Sequence, residues 1–403
     1  MGDLSNGQAG VSVLSAGPGI ADAFVERFVI EPIRSGPLHG ASFAAKDVFD
    51  VAGRHTGCGN PVWRETHAPA QRSAAAVEML LRAGARLVGK TRTDELAYSL
   101  DGRNIHEGAP INPAAPERLT GGSSAGAASA VASGDIDFAA ASDTAGSVRV
   151  PAAWCGLVGI RPTHARLSVA GLTPLAPSFD TVGWLARSTS LMRAIGAALF
   201  QDAAMPTPAF SLVRDPGVES ELDPRLGASL AHVFERLAAQ GFALSELSLG
   251  IDLERAAESL RILQGHEAWI THGRWIDSTQ PTLGPEIAAR FAAARAITGA
   301  ELSEAARARE AIRTCMDAAL PAGRILCLPT VPGPAPRREA SREHLQLLRA
   351  RLLRLTALSS LTGRPQITLP LLQADGVPVG FSLLGWRNGD ETLLDVARLV
   401  APS

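Results

Sequence analysis

Lysine is nearly missing from this chain. Of 38 basic residues only Lys46 and Lys90 are lysine and the other 36 are arginine, so a drift toward arginine has spared two positions. A guanidinium keeps its proton at any accessible pH, whereas a buried ammonium can release it. A lysine that must act as a base would leave this trace. Excess charge is missing too. A net charge of −2 and a pI near 6.5 leave no basic footprint for nucleic acid or an anionic membrane. No apolar run approaches the roughly 18 residues of a membrane helix, and the N-terminus has no basic-then-apolar signal pattern. Asn6 stands where a myristoylation pattern starting at Gly2 needs Ser or Thr. The four cysteines, Cys58, Cys155, Cys315 and Cys327, show no C-x-x-C or metal spacing, which reads as reduced thiols in a cytoplasmic protein. Nothing resembles a linker. The expectation is a Gly/Ser/Ala-rich flexible segment over 1–25, then one domain over 26–403 whose 46% hydrophobic residues supply a single large core.

Against these absences stands one unusual stretch, Gly121 to Pro151, GGSSAGAASAVASGDIDFAAASDTAGSVRVP. It opens on a Gly-Gly-Ser-Ser turn and closes on a second Gly-Ser step, so two serines sit on backbone that small residues permit. Gly122-Ser123-Ser124-Ala125-Gly126 matches the G-x-S-x-G nucleophile elbow, which requires a buried strand leading into the serine. Pro113 and Pro116 with charged neighbours precede it, and a central strand does not tolerate them. The elbow reading fails on that side. No histidine stands in either serine motif; His106 and His164 are the nearest in sequence. A Ser-Lys solution is therefore favoured over a Ser-His one for any acyl transfer here.

The fuller pattern resembles the amidase signature family of Ser-Ser-Lys hydrolases: the serine-rich turn, then Asp143-Thr144-Ala145-Gly146-Ser147-Val148-Arg149-Val150-Pro151, with Lys46 upstream in Gly40-Ala41-Ser42-Phe43-Ala44-Ala45-Lys46-Asp47-Val48. The resemblance covers about 30 to 400 and implies one α/β/α domain with a central mixed β-sheet flanked by helices. It implies that Ser147 is the nucleophile, Ser123 the proton shuttle following a cis peptide after Gly122, and Lys46 the general base. The backbone amides of Thr144, Ala145, Gly146 and Ser147 would form the oxyanion hole, and Ala97, Ser99, Ser124 and Phe179 would touch substrate. Lys46 must be neutral to accept a proton, and the apolar run Phe43-Ala44-Ala45 with Val48-Phe49 supplies the burial that lowers an ammonium pKa, with Asp47 facing the opposite side if the segment is a strand. Two departures stand out. Ala145 and Ala125 occupy positions more often glycine in the family, and a positive φ at 145 would cost alanine about 1–2 kcal/mol.

Along the chain, Phe28 to Pro32 and Phe43 to Val51 read as strands, Arg72 to Ala83 as a helix stopped by Gly84, and Arg86 to Gly89 as a strand. Lys90 reads as a structural or partner-bonding lysine. Motifs over 40–190 form the core, 191–320 reads as a helical, variable pocket region, and 321–403 as closing strands and helices. Within the helical region, Leu263 to Ile276, with Trp269 and Trp275, resembles the compact indole-3-acetamide hydrolase branch; His266 and His272 read as structural. Trp63, Phe179, Trp269 and Trp275 are candidates for an aryl pocket or simply for core packing. No carboxylate-binding arginine cluster is evident. The expected partner is a small amide with an aryl-acetamide acyl group, with no cofactor, metal, nucleic acid or membrane, and a homodimer left open. A glutaminase component of a tRNA-dependent amidotransferase and a catalytically silent interaction module are the rival readings.

Overall fold

The computed structural model describes residues 22–200 and 208–402, so most of the segment expected to be flexible lies outside the described residues. Eleven strands form one mixed sheet. They are β1 (Phe24–Ile30), β2 (Ser42–Lys46), β3 (Arg86–Thr91), β4 (Phe138–Asp143), β5 (Val158–Arg161), β6 (Thr181–Ala186), β7 (Ser211–Arg214), β8 (Leu244–Glu246), β9 (Arg324–Pro329), β10 (Gln366–Leu369) and, after a hairpin of β11 (Gln373–Ala374) and β12 (Val377–Pro378), β13 (Phe381–Leu384). Their order is β1-β3-β2-β4-β6-β5-β10-β13-β9-β7-β8. Twelve helices accompany them among the described residues: α1 (Pro61–Thr66), α2 (Ala75–Arg82), α3 (Ala125–Ser133), α4 (Arg149–Trp154), α5 (Thr189–Phe200), α6 (Pro216–Glu219), α7 (Gly227–Ala239), α8 (Leu253–Thr279), α9 (Pro285–Arg295), α10 (Gly299–Ala319), α11 (Arg342–Thr362) and α12 (Asp390–Val400).

The central strands are short, apolar and buried on both faces. All six residues of β4 and all six of β6 are buried, as strands covered by helices on each side must be. β2 lies parallel between β3 and β4, with Ala45 opposite Ala140. That pairing brings the ends of β2 and β4 together, and the chemistry-bearing residues stand at those ends. Helix α3 is built from small residues because the packing leaves no room for larger ones: a Cβ at Gly126 would lie 2.2 Å from the Ala23 carbonyl oxygen.

Three sequence expectations shift. β2 stops at Lys46 rather than running to Val51, because the amides of Val48 and Phe49 turn back to the Lys46 carbonyl. Asp47 therefore does not face away across a strand; it is buried and ion-paired with Lys90 at 2.6 Å. The first strand starts at Phe24 and ends at Ile30 instead of spanning 28–32. The stretch 191–320 is not wholly helical, since β7 and β8 extend the sheet beyond β9; runs of four and three residues are too short to show a period of two against an alanine-rich background. The closing elements agree with the sequence: α11 ends at Gly363, whose φ of 66° makes it a left-handed cap.

Candidate active site

Lys46 is the last residue of β2 and has no solvent exposure. Its Nζ lies 2.7 Å from Ser123 Oγ and 3.0 Å from Ser142 Oγ. Among the described residues it makes no ion pair. Burial pushes its pKa down to about 8, and the carboxylates of Asp94, Asp143 and Asp180 only partly oppose that. An amine whose pKa lies this close to neutrality, hydrogen-bonded to a buried hydroxyl, can exchange a proton with it in the physiological pH range. Ser142 is a residue that sequence reasoning missed. Its only signal is a polar side chain near the end of the apolar strand Phe138-Ala-Ala-Ala-Ser-Asp.

The turn carrying Ser123 is set by its neighbours. The Gly122–Ser123 peptide is cis, and the Ser123 carbonyl accepts the Asp94 amide at 3.1 Å. Gly122 has to be glycine for lack of space rather than for its φ: a Cβ there would stand 2.1 Å from Asp94 Oδ2. Asp94 is itself fully buried, and burial raises its pKa to about 7. Ser124 precedes helix α3. Its amide donates to the Ser147 carbonyl at 3.3 Å, which lays the two serine segments against each other. The fully buried Ser124 side chain turns its Oγ to the Ser142 carbonyl at 3.5 Å.

Ser147 follows β4 in a loop gathered around the Asp143 carboxylate. Asp143 Oδ1 accepts the Gly146 amide at 2.9 Å and Arg149 Nη2 at 2.8 Å; Oδ2 accepts the Val148 amide at 3.1 Å and Arg149 Nε at 3.0 Å. Arg161 adds a second guanidinium. Burial alone would raise this acid, yet Arg149 and Arg161 hold it far below the carboxylate range. Arg149 Nη1 then reaches the Thr356 carbonyl and Gln366 Oε1, tying the loop to α11 and β10. The Gly146 amide is thus spent on Asp143. The amides of Thr144, Ala145 and Ser147 make no protein hydrogen bond among the described residues. Ala145 does not have a positive φ; Gly146 takes the unusual conformation at 132°, so the strain anticipated at Ala145 does not arise. Thr144 Oγ1 donates to Asp180 Oδ1 at 2.6 Å.

The remaining predicted residues divide. Ala97 lies beside the site in a strained segment, since both Leu96 and Ala97 have positive φ (49° and 56°). Ser99 Oγ donates to Asp101 Oδ2 at 3.0 Å. Phe179 has no exposure and packs under the Arg309 guanidinium. Trp63 stacks on His67 and meets Trp275 edge-on; Trp269 packs with Arg295. Trp63 and Trp275 thus pack α1 against α8, with His67 and His272 in the same cluster, and Trp269 packs α8 against α9. Lys90 is consumed by Asp47, the His55 carbonyl and Thr56, as a structural lysine would be. Buried His272 donates Nε2–H to the Pro174 carbonyl, and Glu267 holds Ser178, so α8 supports the loop that carries Asp180. All four cysteines are free. The described residues contain no cluster suited to a metal and no helix long and apolar enough to cross a membrane. Arg261, Arg290 and Arg349, from α8, α9 and α11, line one pocket with Tyr98, an arrangement that no local pattern in the sequence signalled.

Known proteins share the sequence pattern and the fold of this chain. The amidase family model matches residues 31–225 and 212–394. Amidase 1 of Arabidopsis thaliana is 36% identical over 414 residues, covering 94% of this chain and 97% of that protein. A glutamyl-tRNA(Gln) amidotransferase component from Natronomonas pharaonis is 31% identical over 418 residues, covering 93% of this chain and 98% of that protein. A crystal structure of an amidase superposes with a TM-score of 0.80 at 30% identity, covering 91% of this chain and 85% of that one. The chain belongs to the amidase signature family of hydrolases, which act on carbon–nitrogen bonds in amides.

Proposed function

We propose that the protein hydrolyses a primary amide to a carboxylate and ammonia through a serine acyl-enzyme. Ser147 Oγ attacks the carbonyl carbon and gives its proton to Ser123, whose own proton passes to Lys46 Nζ. The oxyanion is held by the free amides around Thr144, Ala145 and Ser147. Collapse breaks the carbon–nitrogen bond, and the leaving nitrogen takes the proton back through Ser123. Water then repeats the sequence and frees the acid. The observation that carries this reading is the 2.7 Å contact between Ser123 Oγ and a buried Lys46 that has no ion pair among the described residues.

For the acyl group we propose an aryl-acetamide such as indole-3-acetamide, on the resemblance of Leu263 to Ile276 alone, and we place the protein in the cytoplasm, where its four free thiols would stay reduced. The likeness to an amidotransferase component keeps a glutaminase as the second reading. Ammonia release by the purified chain from indole-3-acetamide, neutral alkyl amides, asparagine and glutamine decides between them. A higher kcat/KM for glutamine would refute the aryl assignment, and release of no ammonia from any amide would refute the hydrolase.

A further inference from the structure

A cavity of 230 Å³ lies between α8, α9 and α11, beside the Asp94–Ser99 segment. Its walls include Ala293, Ala294 and Ile297, and besides the exposed Gln346 three polar side chains face it without any protein hydrogen bond among the described residues: the Tyr98 hydroxyl, the Gln264 amide and the Arg349 guanidinium. Tyr98 and Gln264 are only 5% and 3% exposed, and the polar ends of both reach the open cavity rather than being sealed away from it. Charge points the same way. Arg290 is spent on the Tyr98 carbonyl at 2.6 Å and lies 3.8 Å from Asp101; Arg261 pairs with Glu258; Glu286, the acidic wall residue, pairs with Arg342 at 3.0 Å. Arg349 makes no ion pair among the described residues, and the more distant carboxylates of Asp101 and Asp94 offset its charge only in part. Burial and then Arg290 push its pKa down, yet only to about 10, so it stays cationic at neutral pH. Three groups that can all donate, one of them charged, call for an acceptor-rich anion.

Position links this cavity to the site. Arg349 and Thr356 are seven residues apart on α11, two turns and about 10 Å along one face. Thr356 closes the space over Gly146, where an added Cβ would lie 3.1 Å from it. We propose that the cavity bounded by Tyr98, Gln264 and Arg349 is a carboxylate-binding site, placed about two helical turns from the oxyanion loop. The carboxylate is either the far end of a substrate whose amide lies at Ser147, or a separate small acid such as the reaction product. The first source rests on the amidase reading; the second does not.

The test has two arms. Wild type, Arg349→Met and Arg349→Lys are assayed with ω-carboxyl amides, the monoamides of four- to eight-carbon dicarboxylic acids, each against the neutral amide of equal length. If the substrate supplies the carboxylate, wild type favours one chain length, and Arg349→Met lowers the ratio of the two kcat/KM values about tenfold or more, the worth of one charge-assisted hydrogen bond. Arg349→Lys restores part of it. Because both amides meet the same variant, a general folding defect cancels. In the second arm, calorimetric titration with benzoate and with propionate, which needs no turnover, shows binding to wild type that weakens tenfold or more in Arg349→Met and in Gln264→Leu. Amide turnover with no change of ratio, together with no titratable benzoate or propionate, overturns the carboxylate site and leaves the hydrolase standing. Titratable acid with no amide turnover does the reverse.

Discussion

Replacing Lys46 by arginine separates a base from a mere cation. With the lysine at about 8, about a tenth of the enzyme carries a neutral amine at pH 7 and about nine tenths at pH 9. A general base works deprotonated, so kcat/KM should rise about tenfold over that interval and level off above it. Arginine keeps the charge but cannot give up its proton. The rate should fall by about 10²- to 10⁴-fold, the usual contribution of a base, and the rising limb should vanish with it. Lys46→Met, which is uncharged and similar in length, should lose as much. The assay is ammonia release between pH 6 and 10, with circular dichroism and a thermal melt confirming that each variant folds, because the larger head must fit between Ser123 and Ser142. A folded Lys46→Arg enzyme that keeps more than about a tenth of the wild-type rate, or any folded Lys46 variant that keeps the rising limb, refutes the assignment.

Ser147→Ala should abolish labelling by a fluorophosphonate, seen as loss of the mass adduct; undiminished labelling would move the nucleophile elsewhere. Ser142→Ala removes one of two acceptors from Lys46 Nζ and should slow turnover several-fold, about the worth of one hydrogen bond, while Ser123→Ala should cost far more; equal losses would contradict the geometry. Gly122→Ala forces a Cβ to 2.1 Å from Asp94 Oδ2 and should lower unfolding stability by about 1–3 kcal/mol in a denaturant titration; a change under about 0.5 kcal/mol would show the turn to be softer than drawn. His272, buried and with its second nitrogen unpartnered, has its pKa pushed down by burial to about 4. The unfolded chain therefore binds the extra proton first, and stability is lost as pH falls from about 6.5 toward 4. His272→Gln should lack that loss, up to about 3 kcal/mol of slope relative to wild type by pH 4; parallel stability curves for the two proteins would exclude it.

The sequence made legible what depends on local chemistry. Glycine and serine steps mark the loops at 121–124 and 146–147, and a lone lysine in an apolar run marks β2, although the turn that ends the strand at Lys46 rather than Val51 was not legible. What depends on distant partners could not be read. Ser142 becomes a lysine partner only because β2 and β4 pair in one register. Asp143 could be quoted as part of a motif, but its role as the post around which residues 144–149 fold needs Arg149 and Arg161 in place. Phe179 and the tryptophans offered apolar surface, and nothing local says whether such surface faces a ligand or a helix. The three arginines around Tyr98 lie on separate helices and converge only in the folded chain. β7 and β8 were hidden by brevity.

Both lysines, Lys46 and Lys90, have no solvent exposure. The folded protein thus offers no ε-amine to an amine-reactive dye, a crosslinker or a conjugating enzyme, although its surface is rich in arginine. Lys90, held by Asp47, can be acylated only when β3 opens, whereas Lys46 lines the candidate active site and is open to a reagent small enough to enter it. Mass-spectrometric counting of Lys90 adducts over time would therefore clock the opening of β3, with a folded-state background near zero.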